Sequence, residues 1–431
     1  MNVVVVGAGP AGLMAAEVLA TAGLSVSVYD QRRSPARKFV LAGRGGLNIT
    51  HSEPLELFLD RYGSDRQFLE PAIRAFSPND LRAWSTVLGE ETFVGSSGRV
   101  FPASFRAVPL LRSWLRRLDS LGVELHLGRT WDGWESENSF RFTAPAVTKQ
   151  GVRTVDVVPF DAAVLALGGA SWPSVSSDGS WQSILRERQI HVEPLRPANS
   201  GVAVSWSPVM IERFAGMPVK NAAVLVREVD DTGDVGEISG SESGSRSTAT
   251  ETHIVRGDPV ITASGIEGGP IYAQSRLIRN NLAAGHARIA LDLFPDLTEA
   301  ALFERLRSRR ESGSRGESSA RWLRRCGFSP VAAGLLREVT QNTLPTEPAE
   351  IAALAKEVPI RVDAMSSIDR AISTAGGVAW SEVDESFQLH RAPNVYAVGE
   401  MLDWEAPTGG YLLQACFSTA HHAASAVHWA L

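Results

Sequence analysis

The chain opens on Val3-Val4-Val5-Val6, a β-branched run too short for a helix, and apolar positions then recur at helical spacing over residues 13–22. Between the two stands Gly7-Ala8-Gly9-Pro10-Ala11-Gly12. Residues 24–30, Leu-Ser-Val-Ser-Val-Tyr-Asp, alternate apolar with polar and predict a second strand. An amphipathic helix is expected at about 107–121, a strand at 123–127, and a buried strand at 160–167 running into Gly168-Gly169-Ala170. The pattern then changes: 201–206, 222–228 and 260–263 read as short strands, and 298–325 and 330–341 as helices. Residues 230–251, rich in Gly, Ser, Thr and acids, read as a hairpin tip. Near the end, Asn394-Val395-Tyr396-Ala397-Val398-Gly399-Glu400 is a strand with a glycine-acid end, and a helix follows over about 412–427.

A strand, a glycine turn and a helix in immediate succession suit a dinucleotide. Gly7 allows the tight bend, Gly9 lets backbone approach a pyrophosphate, and Gly12 lets helix pack on strand. Pro10 and Ala11 belong to the turn before the helix, whose N-terminus offers N–H groups and partial positive charge to phosphate. Asp30 ends the second strand 23 positions after Gly7, where an acid accepts from the adenosine ribose, with Gln31 beside it. The alternative is a βαβ unit whose glycines serve packing alone.

The next segment favours FAD over NAD. Residues 37–50, Arg-Lys-Phe-Val-Leu-Ala-Gly-Arg-Gly-Gly-Leu-Asn-Ile-Thr, are basic and then glycine-rich, and read as a loop laid along a long cofactor, with Arg37, Lys38 or Arg44 balancing phosphate charge and Gly45 and Asn48 near the flavin. The alternative is a solvated surface loop.

These runs, with Gly98-Arg99-Val100-Phe101-Pro102, resemble the YhiN/BaiN-like flavoproteins of bacteria over most of the chain. The resemblance implies an α/β, FAD-binding Rossmann-like three-layer fold of the two-dinucleotide-binding type, with an inserted small β-barrel and helical subdomain. It implies FAD-binding parts at 1–195 and 359–431 and an insertion at 196–358, helical at about 297–345. It places backbone near Trp131 at the adenine, and the strand end Ala166 to Gly168 at the ADP half. Gly399, Glu400 and Asp403 would meet the ribityl chain, and Gly409, Gly410, Tyr411 and Leu412 the flavin edge. Thr374-Ala375-Gly376-Gly377-Val378 would return beside the isoalloxazine, and Gly265-Ile266-Glu267-Gly268-Gly269-Pro270 would link the insertion. Many relatives carry a cysteine just before the position of Asn48; this chain has Leu47 there.

Composition narrows the partners. The 431 residues carry 42 basic and 48 acidic side chains, net −6, so no field gathers nucleic acid or anionic lipid. Hydrophobic residues at 44% and charged residues at 21% match an ordinary globular protein without a membrane span. Cys326 and Cys416, the sole cysteines, make neither a disulfide framework nor a zinc site, and a reducing cytoplasm is expected. None of the nine histidines falls in a metal or triad spacing; His51 after Thr50 is read as a surface residue or a proton carrier, and no catalytic residue is named. The expected activity is FAD-dependent hydride transfer to or from a small organic substrate, with NAD(P)H or O2 as redox partner. The alternatives are a flavin-dependent amine oxidase, a flavoprotein acting on or binding RNA, and a scaffold holding FAD for structure.

Overall fold

The computed structural model describes residues 1–144, 154–228, 251–286, 288–314 and 316–430. The expected hairpin tip at 230–251 lies outside the described residues but for Glu251. The chain divides into two compact units, one of Met1–Pro197 with Ile368–Leu431, the other Ala198–Ser367.

In the first unit, β1 (Asn2–Val6), β2 (Ser25–Asp30), β3 (Glu124–Leu127), β4 (Ala162–Leu165) and β5 (Val395–Ala397) form a parallel sheet in the order β5-β4-β1-β2-β3. Val3 lies between Val26 and Ala162, and Val5 between Val28 and Val164. A central parallel strand is covered on both faces, which is why β1 reads as an unbroken valine run rather than an alternation. Helix α1 (Pro10–Thr21) starts three residues before the apolar periodicity, because Pro10 has the backbone angle of a first helical turn and Gly9 serves as N-cap. It packs on the C-terminal helix Tyr411–Ala430. Both helices bury small residues, Ala15 and Ala16 on one and Ala420, Ala423 and Ala424 on the other, which permits a close approach.

A three-stranded antiparallel meander, Thr130–Ser136, Ser139–Ala144 and Thr154–Pro159, packs on β2, where the Tyr29 ring stacks on Phe142 at 4.2 Å. Three helices, Leu55–Asp60, Arg66–Ala75 and Pro78–Val87, were not foreseen. The last has a legible start: Ser77 accepts from the Asp80 N–H while Asp80 accepts from the Ser77 N–H at 2.8 Å. The 37–50 segment is not wholly a loop. Arg37–Ala42 is helical, since it lacks glycine and buries Phe39, and only Gly43–Gly45 tightens into a 3-10 turn.

The second unit builds two four-stranded sheets, one of Thr252–Gly257, Ala222–Arg227, Arg288–Asp292 and Val358–Arg361, the other of Val260–Thr262, Gly265–Glu267, Val202–Ala203 and Ala364–Met365. Pairing of Val358–Arg361 with Arg288–Asp292, and of Ala364–Met365 with Val202–Ala203, keeps the chain in this unit to Ser367, beyond the expected limit at 358. Helices Glu299–Glu311, Ser319–Arg325 and Pro330–Val339 start at Thr298, Ser318 and Ser329, whose side chains accept from the N–H three residues on.

Candidate functional site

In the sheet order β1 has β2 on one side and β4 on the other, so the chain runs outward from β1 through β2 to β3 and then crosses to the far side of β1. A crevice forms at such a switch point, beyond the carboxyl ends of the strands. The cleft found there is lined by residues 7–11, 29–32, 37–39, 129–131, 166–168 and 175–178, with Trp181, Val398, Glu400 and Cys416.

The three glycines of the first turn serve distinct ends. Gly7 has φ 108°, donates its N–H to Tyr29 O at 2.7 Å, and a Cβ on it would stand 2.3 Å from Ala166 O. A Cβ on Gly12 would stand 1.8 Å from Gly7 O. Around Gly9 nothing lies within 4 Å of that position. Gly7 and Gly12 are therefore demanded by packing, and Gly9 leaves open space before α1. No side chain caps α1, so the Ala11 and Gly12 N–H groups remain available to an anion.

Asp30 is held from both sides: Oδ2 accepts from Ala8 N at 2.7 Å and Oδ1 from Arg32 N at 2.6 Å. Each oxygen keeps a lone pair for a ribose hydroxyl. Burial raises its carboxyl above the usual range against the pull of those two N–H donors. Arg32, which the sequence reading passed over, donates through Nε and Nη2 to Ser176 O at 3.2 and 2.5 Å and through Nη2 to Pro173 O, tying the 173–178 segment over the end of β2. The rule that loops after strand ends line the crevice would have marked this segment, because it follows β4. Trp131 is buried, with an Nε1–H that has no partner among the described residues.

Lys38 is engaged otherwise than expected. Its Nζ donates to both Glu400 oxygens at 2.8 and 3.0 Å and to Ser171 Oγ at 2.7 Å, leaving exposed Arg37 as the cation facing the cleft from that helix. Glu400 also accepts from Thr374 N at 3.1 Å, which brings the expected return segment 374–378 to this point. The Arg44 side chain lies outside the described residues. Cys416 borders the cleft; burial, with Glu400 nearby, pushes its thiol up to about 12, so no thiolate forms at neutral pH.

Twelve of the expected positions line this cleft: Gly7, Gly9, Pro10, Ala11, Asp30, Gln31, Arg37, Lys38, Trp131, Ala166, Gly168 and Glu400. Gly12, Gly45, Asn48, Gly399, Asp403, Gly409, Gly410, Tyr411 and Leu412 do not line it. Gly399 has φ 76° and donates its N–H to Thr419 Oγ1 at 3.0 Å. Gly410 has φ 101°, and a Cβ there would lie 2.5 Å from the Thr50 backbone, so the 37–50 segment abuts the first turn of the C-terminal helix. Tyr411 donates its hydroxyl to Glu53 at 2.5 Å, and Arg61 donates to the same carboxylate at 2.8 and 3.2 Å. His51 is largely buried: its ring stacks on Tyr411 at 5.4 Å, Nδ1 accepts from Glu53 N at 3.2 Å, and Nε2 lies 3.0 Å from Ser97 O. Asn48 Oδ1 and Thr50 Oγ1 are buried there without a partner among the described residues, polar capacity that a heteroaromatic ring edge would use.

A parallel sheet with a glycine turn at its switch point, an uncapped helix behind it and an acid closing the second strand define a Rossmann-type dinucleotide-binding protein. The chain belongs to the family described as HI0933-like protein Rossmann domain, matched over residues 1–426, the family its motifs resemble. A relative, the 3-dehydro-bile acid delta(4,6)-reductase of Clostridium scindens, is 24% identical over 448 residues, covering 98% of each chain. Among solved structures it is similar to the 3-ketosteroid-delta4-(5alpha)-dehydrogenase from Rhodococcus jostii RHA1 in complex with 4-androstene-3,17-dione, at 14% identity and TM-score 0.45 over 99% of this chain and 96% of that one. It is likewise similar to the 3-ketosteroid delta1-dehydrogenase from Sterolibacterium denitrificans, at 11% identity and TM-score 0.49 over 100% and 99%. Among the described residues no helix is long and apolar enough to cross a membrane.

Proposed function

We propose that this protein uses non-covalent FAD to move a hydride between the flavin and one carbon of a carbon–carbon double bond conjugated to a carbonyl in a small organic molecule, the neighbouring carbon exchanging a proton with solvent. The observation that carries the reading is the full-length relative, whose name makes it a reductase of a dehydro-bile acid. When bound, FAD supplies the hydride-transfer chemistry. The chain's own residues bind and orient. The free N–H groups of α1 and the Arg37 guanidinium face the pyrophosphate, and Asp30 accepts from the adenosine ribose. Glu400, anchored by Lys38 and Thr374 N, offers its remaining lone pairs to the ribityl hydroxyls. Asn48, Thr50 and the first turn of the C-terminal helix meet the ring edge, where helix polarity favours negative charge. The proposed partner on the other side of the redox cycle is O2 where the flavin takes the hydride from the substrate, and NAD(P)H, bound without a second phosphate cradle, where the flavin gives it. The cytoplasm is the proposed compartment, because Cys326 and Cys416 are unpaired.

The test is reoxidation of the dithionite-reduced holoenzyme, under anaerobic conditions, by a panel of conjugated and isolated ketones. Conjugated enones should restore the oxidised flavin spectrum and saturated ketones should not. A reduced flavin that no enone reoxidises overturns the reading.

A further inference from the structure

We propose that Phe93, Phe101 and Phe105 form a platform that binds a flat, rigid, apolar ring system, so that the substrate is a fused-ring carbonyl compound rather than a short-chain one; this rests on the conjugated-carbonyl reading above. Phe93 on the strand Thr92–Val94 pairs directly with Phe101 on the strand Arg99–Pro102. The ring centroids are 5.7 Å apart for Phe93 and Phe101, 4.8 Å for Phe101 and Phe105, and 6.0 Å for Phe93 and Phe105, with planes inclined by no more than 28°. Phe93 is 42% exposed and Phe105 43%. Near-parallel aromatic rings left in water together are what ligand surfaces retain and ordinary surfaces bury.

The backbone is arranged to keep Phe105 there. Its φ is 60°, a left-handed conformation unfavourable to a bulky side chain, and its ring lies over Gly46, on which a Cβ would stand 2.3 Å from Phe105 Cε1. Leu47 donates its N–H to Phe105 O at 3.2 Å, and Gly43 packs against Ala107. The platform is thus built on the 37–50 segment, which borders the cofactor cleft at Arg37, Lys38 and Phe39 and carries Asn48 and Thr50 at its other end. A ligand spread over these rings stays on the element that meets the cofactor. Parallel ring faces with no cation over them among the described residues select a planar apolar ligand over an anion or a peptide.

The test is equilibrium dialysis of labelled 4-androstene-3,17-dione against the FAD-loaded wild type and the variants Phe93→Ser and Phe105→Gly. The second variant removes the ring while relieving the left-handed backbone, and both should keep wild-type FAD content and melting temperature. Each variant should weaken binding by about tenfold, as loss of one partly covered aromatic face implies. Failure of the wild type to bind the steroid, or equal binding by all three proteins, overturns the platform. So does a variant that instead shifts the protein to a smaller species on size exclusion, which would make the patch a contact between copies. Reoxidation of the reduced wild type by 2-cyclohexen-1-one, run in parallel, separates the two ideas: ring-dependent steroid binding without any enone reoxidation sinks the redox reading and leaves the platform standing.

Discussion

Gly9 and Gly12 stand three residues apart in one turn, yet what would replace their missing side chains differs completely. Gly12→Ala brings a methyl group 1.8 Å from Gly7 O and forces α1 off β1. It should destabilise the apoprotein by about 1–3 kcal/mol, the usual cost of overpacking, seen as a lower melting temperature. A Cβ at Gly9 meets nothing within 4 Å, so Gly9→Val can place its side chain in open space. The apo melting temperature should hold while FAD affinity, measured by calorimetric titration, drops by about tenfold or more as the side chain fills the phosphate approach. A comparable stability loss at both positions would make Gly9 a packing residue. Lys38 and Glu400 offer a second test at this scale, because the cation is spent on the carboxylate rather than on phosphate. Lys38→Met and Glu400→Gln should each lower FAD affinity, and the double variant should lose less than the two losses added, with a coupling of about 1–2 kcal/mol. Strict additivity would show that the pair does not act as a unit.

Two elements are tied to distant parts of the first unit by charged side chains. The first turn of the C-terminal helix is latched through Tyr411 to Glu53. Burial alone would raise the Glu53 carboxyl, but hydrogen bonds from Arg61 and Tyr411 outweigh it and hold the group below its ordinary value. Burial and then the bond to Glu53 push the Tyr411 phenol far up, so it remains a donor at every working pH. With the folded-state value depressed, the latch stabilises the native state fully above the unfolded value of about 4.5 and is lost as pH falls through the folded value. Between pH 6 and roughly pH 3.5 the wild-type melting temperature should therefore fall more steeply than that of Glu53→Gln. Parallel slopes would exclude the latch. The other element is the 173–178 segment, strapped to β2 by Arg32. Because those bonds run to backbone carbonyls at the rim of the cleft, Arg32→Ala should leave the sheet intact and speed FAD release by about tenfold, from the loss of charge-assisted hydrogen bonds. An unchanged release rate would mean that the segment does not cover the cofactor.

At the scale of the whole chain, the glycine turn at residues 7–12 has no counterpart. Gly95-Ser96-Ser97-Gly98 and the Gly265 to Gly269 run lack the Gly-x-Gly-x-x-Gly spacing, and Gly168-Gly169 belongs to the first fold. A Cβ on Gly265 would stand 1.9 Å from Val202 O, so that glycine serves sheet packing. A nicotinamide dinucleotide thus has no second preformed phosphate cradle, and its binding should be weak. Anaerobic stopped-flow reduction by NADH and NADPH should stay slow and unsaturated into the millimolar range. Rapid reduction saturating at micromolar nicotinamide would reveal a site of another kind and make this an NAD(P)H-dependent reductase.

The sequence by itself determined the pieces whose signals are local. The valine run, the glycine turn, the alternating strand ending in Asp30 and the strand and helix that follow Asn394 are each set by spacing within a few residues, where backbone geometry leaves little choice. The helices over 55–87 were legible only at Ser77 and Asp80, and the meander was not read from the sequence; each packs on distant partners, the helix Pro78–Val87 through Trp84, whose indole donates to Glu17, and the meander through Phe142, which stacks on Tyr29. Tertiary structure alone decided what the charged groups do. Lys38 and Glu400 are 362 residues apart, Tyr411 and Glu53 358, and Arg32 and Ser176 144. No periodicity reports such pairs, because they form only when strands from both ends of the chain enter one sheet and bring their carboxyl ends to one crevice.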